Sequence, residues 1–325
     1  MPTEVTGNWS SCPRAGGYMS TTPFRLICVP LDGSPFAEQA LPAAAEIARR
    51  AGAMLQLALV HHPVPALATA LEVPEIEAQL DQENRVREQT YLSSIVERVR
   101  MTANVPVTGA LLDGAVADAL QAHVEEAQAD LVVITTHGRG PMSRFWLGSV
   151  ADHLMRRLHV PVLIIRPNGS TPPPIELKTI LVALDGSAFA ERALEVAVAL
   201  GKVFGAAFGL VMVIEPPLPI ADPSGLAVLP AMAETEKQLR SGASRYLDGI
   251  AGRLRQEGHV VRTYAVEGPR AAEAIIAQAD VTDADLIVLA SHGAGGFERL
   301  VLGSVADKVI RASSHPTLIV RPTAA

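Results

Sequence analysis

Short runs in which almost every residue is apolar alternate along this chain with longer stretches whose apolar positions recur at helical spacing. In the second half the apolar runs fall at residues 180–184, 208–214, 260–266, 286–290 and 317–321. Helical patterns occupy residues 189–204 and, after a proline-rich loop, the charged stretch 233–256. Strands that are continuously apolar and separated by helices belong to a parallel sheet covered on both faces, because a sheet with one wet face would alternate polar and apolar. The pattern predicts a five-stranded, doubly wound α/β unit. Ligands of such sheets sit beyond the carboxyl ends of the strands, where strand order reverses.

The first half carries the same order of patterns. LICVPLDGSPFAEQAL from residue 26 is answered by ILVALDGSAFAERAL from residue 180, and THGRGPMSRFWLGSVADHL from residue 136 by SHGAGGFERLVLGSVADKV from residue 291. Across the later stretch about half the positions are identical, which marks a duplication. Between the copies lies NGSTPPPIE, whose prolines can continue neither a helix nor a central strand. The expected organisation is an extension over 1–21, a first domain over 22–167, a linker over 168–176 and a second domain over 177–325. The extension is polar and aperiodic. The final apolar runs, VPVLIIRP and HPTLIVRP, would lie at sheet edges. An exposed apolar edge invites aggregation, so the two runs are expected to cover each other within one chain.

A length of 325 residues suits two domains of roughly 150 residues each. The formal net charge of −7, with no local basic patch, argues against nucleic acid as a partner. No apolar run approaches the ~18 residues of a membrane span, and the first twenty residues lack the apolar core of a signal peptide. Cys12 and Cys28 are the only cysteines, too few for a disulfide framework or thiolate metal site. A cytoplasmic protein without a membrane partner is expected.

Candidate chemistry sits at the strand ends. Asp32-Gly33-Ser34 and Asp185-Gly186-Ser187 close the first strand of each half. The glycines suit a turn and the serines suit helix N-caps, Ser34 with Pro35 following it. An aspartate at the carboxyl end of a central strand faces the crevice, where its carboxylate can accept hydrogen bonds from a base or ribose. Further along, Ser149 with Asp152 and Ser304 with Asp307 have capping-box spacing. A cap alone does not require the preceding glycines: Gly138, Gly140 and Gly148 in the first half, and Gly293, Gly295, Gly296 and Gly303 in the second. Phosphate binding does, because glycine lets backbone approach the anion and the helix start offers amides. Neither GxxxxGK[ST] nor a GxGxxG after the first strand is present.

These motifs resemble the universal stress protein family, and the chain resembles a tandem, two-domain member from about residue 24 to 322. The resemblance implies a Rossmann-like, adenine nucleotide alpha hydrolase-like fold in each half. Nucleotide-binding members carry glycine, two residues, glycine, nine residues, then glycine with Ser or Thr. Gly138 with Gly148-Ser149, and Gly293 with Gly303-Ser304, match its later part; Thr135 and Ala290 stand at the first glycine. The resemblance further implies ATP or another adenine nucleotide as ligand, with Mg2+ as a companion ion. It matches Asp32 and Asp185 to an acid near the nucleoside, and Val213 to an adenine contact, with His62 at that place in the first half. Alanine adds one methyl where threonine adds bulk and a hydroxyl, so the second site is expected to be the better one. Single-domain relatives use the last strand between subunits, so the tandem chain resembles a fused dimer; assembly into a homodimer stays open.

Other residues have plainer readings. His137 and His292 lack companions at metal-ligand or catalytic spacing. Arg144 and Arg299 suit solvent as well as phosphate. His61-His62 reads as loop surface, and the charged helix over 75–100 as a solvated outer face. No catalytic residue and no protein metal site is assigned. Three functions therefore compete: a stress-response sensor or regulator that binds adenine nucleotide, an interaction module whose sites have decayed, and a slow nucleotide hydrolase. The last has no general base or carboxylate cluster beside its glycines.

Overall fold

The computed structural model describes residues 24–63, 74–136, 148–166, 174–215, 228–291 and 302–321. The expected extension over 1–21 and most of the linker lie outside the described residues, as do Gly138, Gly293 and the rest of both glycine-rich loops.

The first half runs β1 (Leu26–Leu31), α1 (Leu41–Ala51), β2 (Met54–Val60), α2 (Pro74–Ala103), β3 (Val107–Leu112), α3 (Val116–Glu126), β4 (Leu131–Thr135), α4 (Ser149–Arg157) and β5 (Val162–Ile165). The second repeats it as β6 (Thr179–Ala183), α5 (Ala188–Phe204), β7 (Ala207–Ile214), α6 (Val228–Gln256), β8 (Val261–Glu267), α7 (Ala271–Thr282), β9 (Leu286–Ala290), α8 (Ser304–Ala312) and β10 (Thr317–Val320). The strands form a single ten-stranded sheet in the order β3-β2-β1-β4-β5-β10-β9-β6-β7-β8. Each half is a doubly wound α/β unit of five parallel strands, as the apolar runs predict. Strand order reverses between β1 and β4, and again between β6 and β9.

The halves meet where β5 and β10 pair antiparallel, with Thr317 opposite Ile164, Leu318 opposite Leu163 and Ile319 opposite Val162. The two apolar edges cover each other, as expected from their composition. Burial on both faces explains why the inner strands carry no polar alternation; the edge strands β3 and β8 are mostly part-exposed. Ile27, Val29 and Leu31 face a cluster that also takes residues from α1, α2, α5 and α6. Cys28 faces the other, which is built with α3, α4, α7 and α8. Both clusters run through the two halves without interruption.

The duplication extends to side-chain contacts. Tyr91 on α2 donates to Glu38 at 3.0 Å, and Tyr246 on α6 donates to Glu191 at 3.3 Å. Arg98 and Arg253 pair with the same two glutamates. The halves differ at the first helix. Proline at position 42 has no amide hydrogen to donate one turn back, so residues Ala37–Ala40 form a 3-10 turn before α1 begins. In the second half α5 runs unbroken for 17 residues. Helix α2 is only partly the solvated face expected of it: Leu92, Ile95, Val96 and Val99 are buried against the sheet.

Candidate functional site

At the end of β1 the chain turns at Gly33 (φ 78°), and at the end of β6 at Gly186 (φ 81°), a left-handed backbone that favours glycine. The preceding aspartates brace these turns. Asp32 Oδ1 accepts from Ser34 N at 2.9 Å; Asp185 Oδ1 accepts from Ser187 N at 3.0 Å and from its hydroxyl at 2.6 Å. Ser34 Oγ in turn accepts from Ala37 N, and Ser187 Oγ from Ala190 N. Ser187 is thus the N-cap of α5, as its position predicts; Ser34 makes the same bond, but Pro35 is not the first helical residue, because the turn that follows has Phe36 as its N-cap.

The switch-point helices begin differently. The N-cap residues are Gly148 and Gly303, and no side chain accepts a cap hydrogen bond at either. Ser149 and Ser304 are already the first helical residues, which corrects the capping-box reading. Asp152 and Asp307 turn the other way, to Arg156 at 2.7 Å and Arg311 at 2.9 Å along their own helices. Among the described residues the first-turn amides of α4 and α8 thus have no side-chain cap, and these helix starts carry the positive ends of the dipoles. Gly148 lies at φ −60°, ψ 147°, open to any residue. A Cβ there would stand 3.4 Å from its nearest neighbour, Thr136 O, an ordinary contact. Neither backbone strain nor packing among the described residues demands glycine at this position.

Strand register gathers these features. β1 pairs with β4 as Ile27 with Leu131, and β6 with β9 as Ile180 with Leu286. Carried to the strand ends, Asp32 is level with Thr136 and Asp185 with Ser291. Thr136 O accepts from Gly148 N at 2.8 Å, and Ser291 O from Gly303 N at 2.7 Å. On the other flank, the β6–β7 register that pairs Ala183 with Val211 puts Val213 level with Asp185. Asp185, Val213, Gly303 and Ser304 therefore lie at the same end of the sheet around one switch point, and Asp32, Gly148 and Ser149 around the other.

A family model described as the universal stress protein family matches residues 23–166 and again residues 176–321. The chain belongs to the universal stress protein family. It is similar to a universal stress protein of Mycobacterium tuberculosis, 27% identical over 300 residues that cover 91% of this chain and 96% of the relative. It is also similar to one of Mycobacterium bovis, 30% identical over 200 residues. That match spans 60% of this chain and 62% of the length of that relative. A solved universal stress protein of Archaeoglobus fulgidus superposes with a TM-score of 0.66 at 20% identity, over 91% of this chain and 96% of that one. This likeness carries the fold.

Within this universal stress protein the first half departs from its sequence reading in two places. The β1–β2 register pairs Leu26 with Met54 as β6–β7 pairs Thr179 with Ala207. Val60, not His62, is therefore the counterpart of Val213, because it stands level with Asp32 as Val213 does with Asp185. His61 is not loop surface either; it is 4% exposed. Its Nδ1 lies 2.5 Å from Glu88 and its Nε2 3.1 Å from Asp81, both carboxylates on α2. Burial lowers the imidazole pKa, but the two carboxylates outweigh it and the net shift is upward. Acids two helical turns apart on α2, Asp81 and Glu88, facing a strand-end histidine, were the available signal. Among the described residues no group of three or more His, Cys, Asp and Glu is placed to hold a metal ion.

Proposed function

We propose that this chain binds ATP or a related adenine nucleotide at the switch point of its second half, and acts as a sensor or regulator in a stress response rather than as an efficient enzyme. The observation that carries this is the start of α4 and α8: helix amides whose glycine N-caps supply no side-chain acceptor, with a glycine at position 148 that neither its backbone angles nor the described residues around it require. Backbone amides at a helix start bind phosphate. The Asp185 carboxylate, one strand away, accepts from a ribose or base, and Val213 offers an apolar wall. The matched spans 23–166 and 176–321 support domains at 22–167 and 177–325. The described residues hold no group of three or more metal-ligating side chains, so no step is assigned to an ion. Among the described residues no helix is long and apolar enough to cross a membrane.

Inequality of the sites follows from the residues before the glycine loops. Thr135 fills the end of β4 with a buried β-branched side chain, 9% exposed, where Ala290 ends β9 with a methyl. Calorimetric titration of ATP tests the reading. Wild type is expected to bind, Gly303→Val to lose most binding, and Gly148→Val to lose less. Gly303 lies at φ −58°, ψ 147°, a conformation valine adopts readily, and a melting temperature near wild type separates lost binding from lost folding in that variant. Absence of ATP binding by wild type would sink the reading and favour the interaction module.

A further inference from the structure

The two switch-point helices are tied together by hydrogen bonds that pass through the opposite half. Gly148 N donates to Thr136 O at 2.8 Å, and Thr136 N donates at 3.3 Å to the carbonyl of Ile165, the last residue of β5. The next residue, Arg166, sends its guanidinium to the carbonyl of Ile310 in the last turn of α8. At the start of α8, Gly303 N donates to Ser291 O at 2.7 Å, and Ser291 N donates at 2.8 Å to the carbonyl of Val320, the last residue of β10. Arg321 follows, and its guanidinium reaches the carbonyl of Arg156 in the last turn of α4. Helix α4 starts directly after Gly148, so the path closes on itself.

Each link is of a kind that transmits position. The last-turn carbonyls of a helix have no partner within it, so an arginine that takes one anchors the helix end and complements its dipole. Each helix has nine residues and forms a stiff rod of about 13 Å. Both guanidiniums are part-buried, where a hydrogen bond is screened less than in water. The neighbouring ion pairs also face each other: Arg156 is held by Asp152 and feels Asp307, while Arg311 is held by Asp307 and feels Asp152 and Arg156.

We propose that this closed circuit couples the two crevices, so that a phosphate group held at the start of one helix raises the affinity of the other for the same group. The inference rests on the nucleotide reading above. An anion on α4 orders Gly148, Thr136 and Ile165, which sets Arg166 on α8 and leaves less ordering for the second ligand to impose.

The test uses the full chain and ATP. In the native background Gly148→Val is expected to weaken ATP binding at the second site about 5-fold, the lower range of measured couplings. With Arg166→Met and Arg321→Met in place, the same substitution should leave second-site affinity unchanged within about 2-fold. ATP binding with equal effects in both backgrounds overturns the proposal and leaves the nucleotide reading intact; no ATP binding by wild type overturns both. A ligand-free measurement guards against misfolded variants. Hydrogen exchange at the Gly148 and Gly303 amides should quicken about 5-fold in Arg321→Met and less in Arg321→Lys, which keeps a donor. Quickening confined to the last turn of α4 overturns the circuit.

Discussion

Single side chains at the strand ends answer to different conditions. Asp185 bonds Ser187 through one oxygen and stands exposed at the switch point. Asp185→Ala should weaken ATP binding by about 1–3 kcal/mol, as expected for a hydrogen bond to a charged group. The protein should stay folded, because Ser187 still caps α5. Unchanged affinity in calorimetry would make this aspartate a turn residue only. His61 answers to pH instead. Its pKa is raised in the folded chain by Glu88 and Asp81, against the opposing effect of burial; Arg85 on the same helix feels both acids. The stabilisation is then fully present below the unfolded value of about 6.5 and is lost as pH rises through the higher folded value. His61→Gln should cost about 1–2 kcal/mol near pH 6, the larger part from the better buried Glu88, and little at pH 9. Denaturant melts at the two pH values check this; an equal cost at both would remove charge from the account.

At the scale of elements, the same substitution should have opposite signs on two helices. Gly201 on α5 faces the Phe208 ring of β7, and an added Cβ would lie 2.3 Å from its Cζ. That ring is 1% exposed and has nowhere to go. Gly201→Ala should destabilise by about 1–3 kcal/mol despite alanine's higher helix propensity. Gly249 on α6 has no atom within 4 Å of an added Cβ, so Gly249→Ala should stabilise by about 0.5–1 kcal/mol. Thermal melts that shift in the same direction would refute the packing argument. Elements also show what sequence can and cannot tell. The strands were legible because burial on both faces writes a continuous apolar run; observed bounds such as Leu286–Ala290 and Ala207–Ile214 lie within a residue of that reading. Asp185 and Gly303 stood out because the duplication repeats them as Asp32 and Gly148; Val213 came from the family resemblance alone, and its first-half counterpart was misplaced at His62. The 3-10 turn before α1 was not read, since it depends on one missing amide at Pro42. The glycine N-caps of α4 and α8 were misread as serine caps, because spacing cannot tell which residue is the first with helical backbone.

For the whole molecule, continuity of the core predicts joint unfolding. Both apolar clusters take residues from each half, so scanning calorimetry should show one cooperative transition; two resolved transitions would mean the halves melt independently. Leu318 lies fully buried at the junction, opposite Leu163. Leu318→Lys should cost about 3–5 kcal/mol by placing an unpaired charge there, and should shift that single transition rather than split it. The antiparallel pairing of β5 with β10 has one more consequence. Both strands belong to a single polypeptide, so their encounter is first order and depends on an effective concentration fixed by the covalent connection, not on how many copies a cell holds. Two separate chains joined through the same strands would come apart on dilution; here the sheet should remain whole at any expression level, and its stability should not vary with protein concentration.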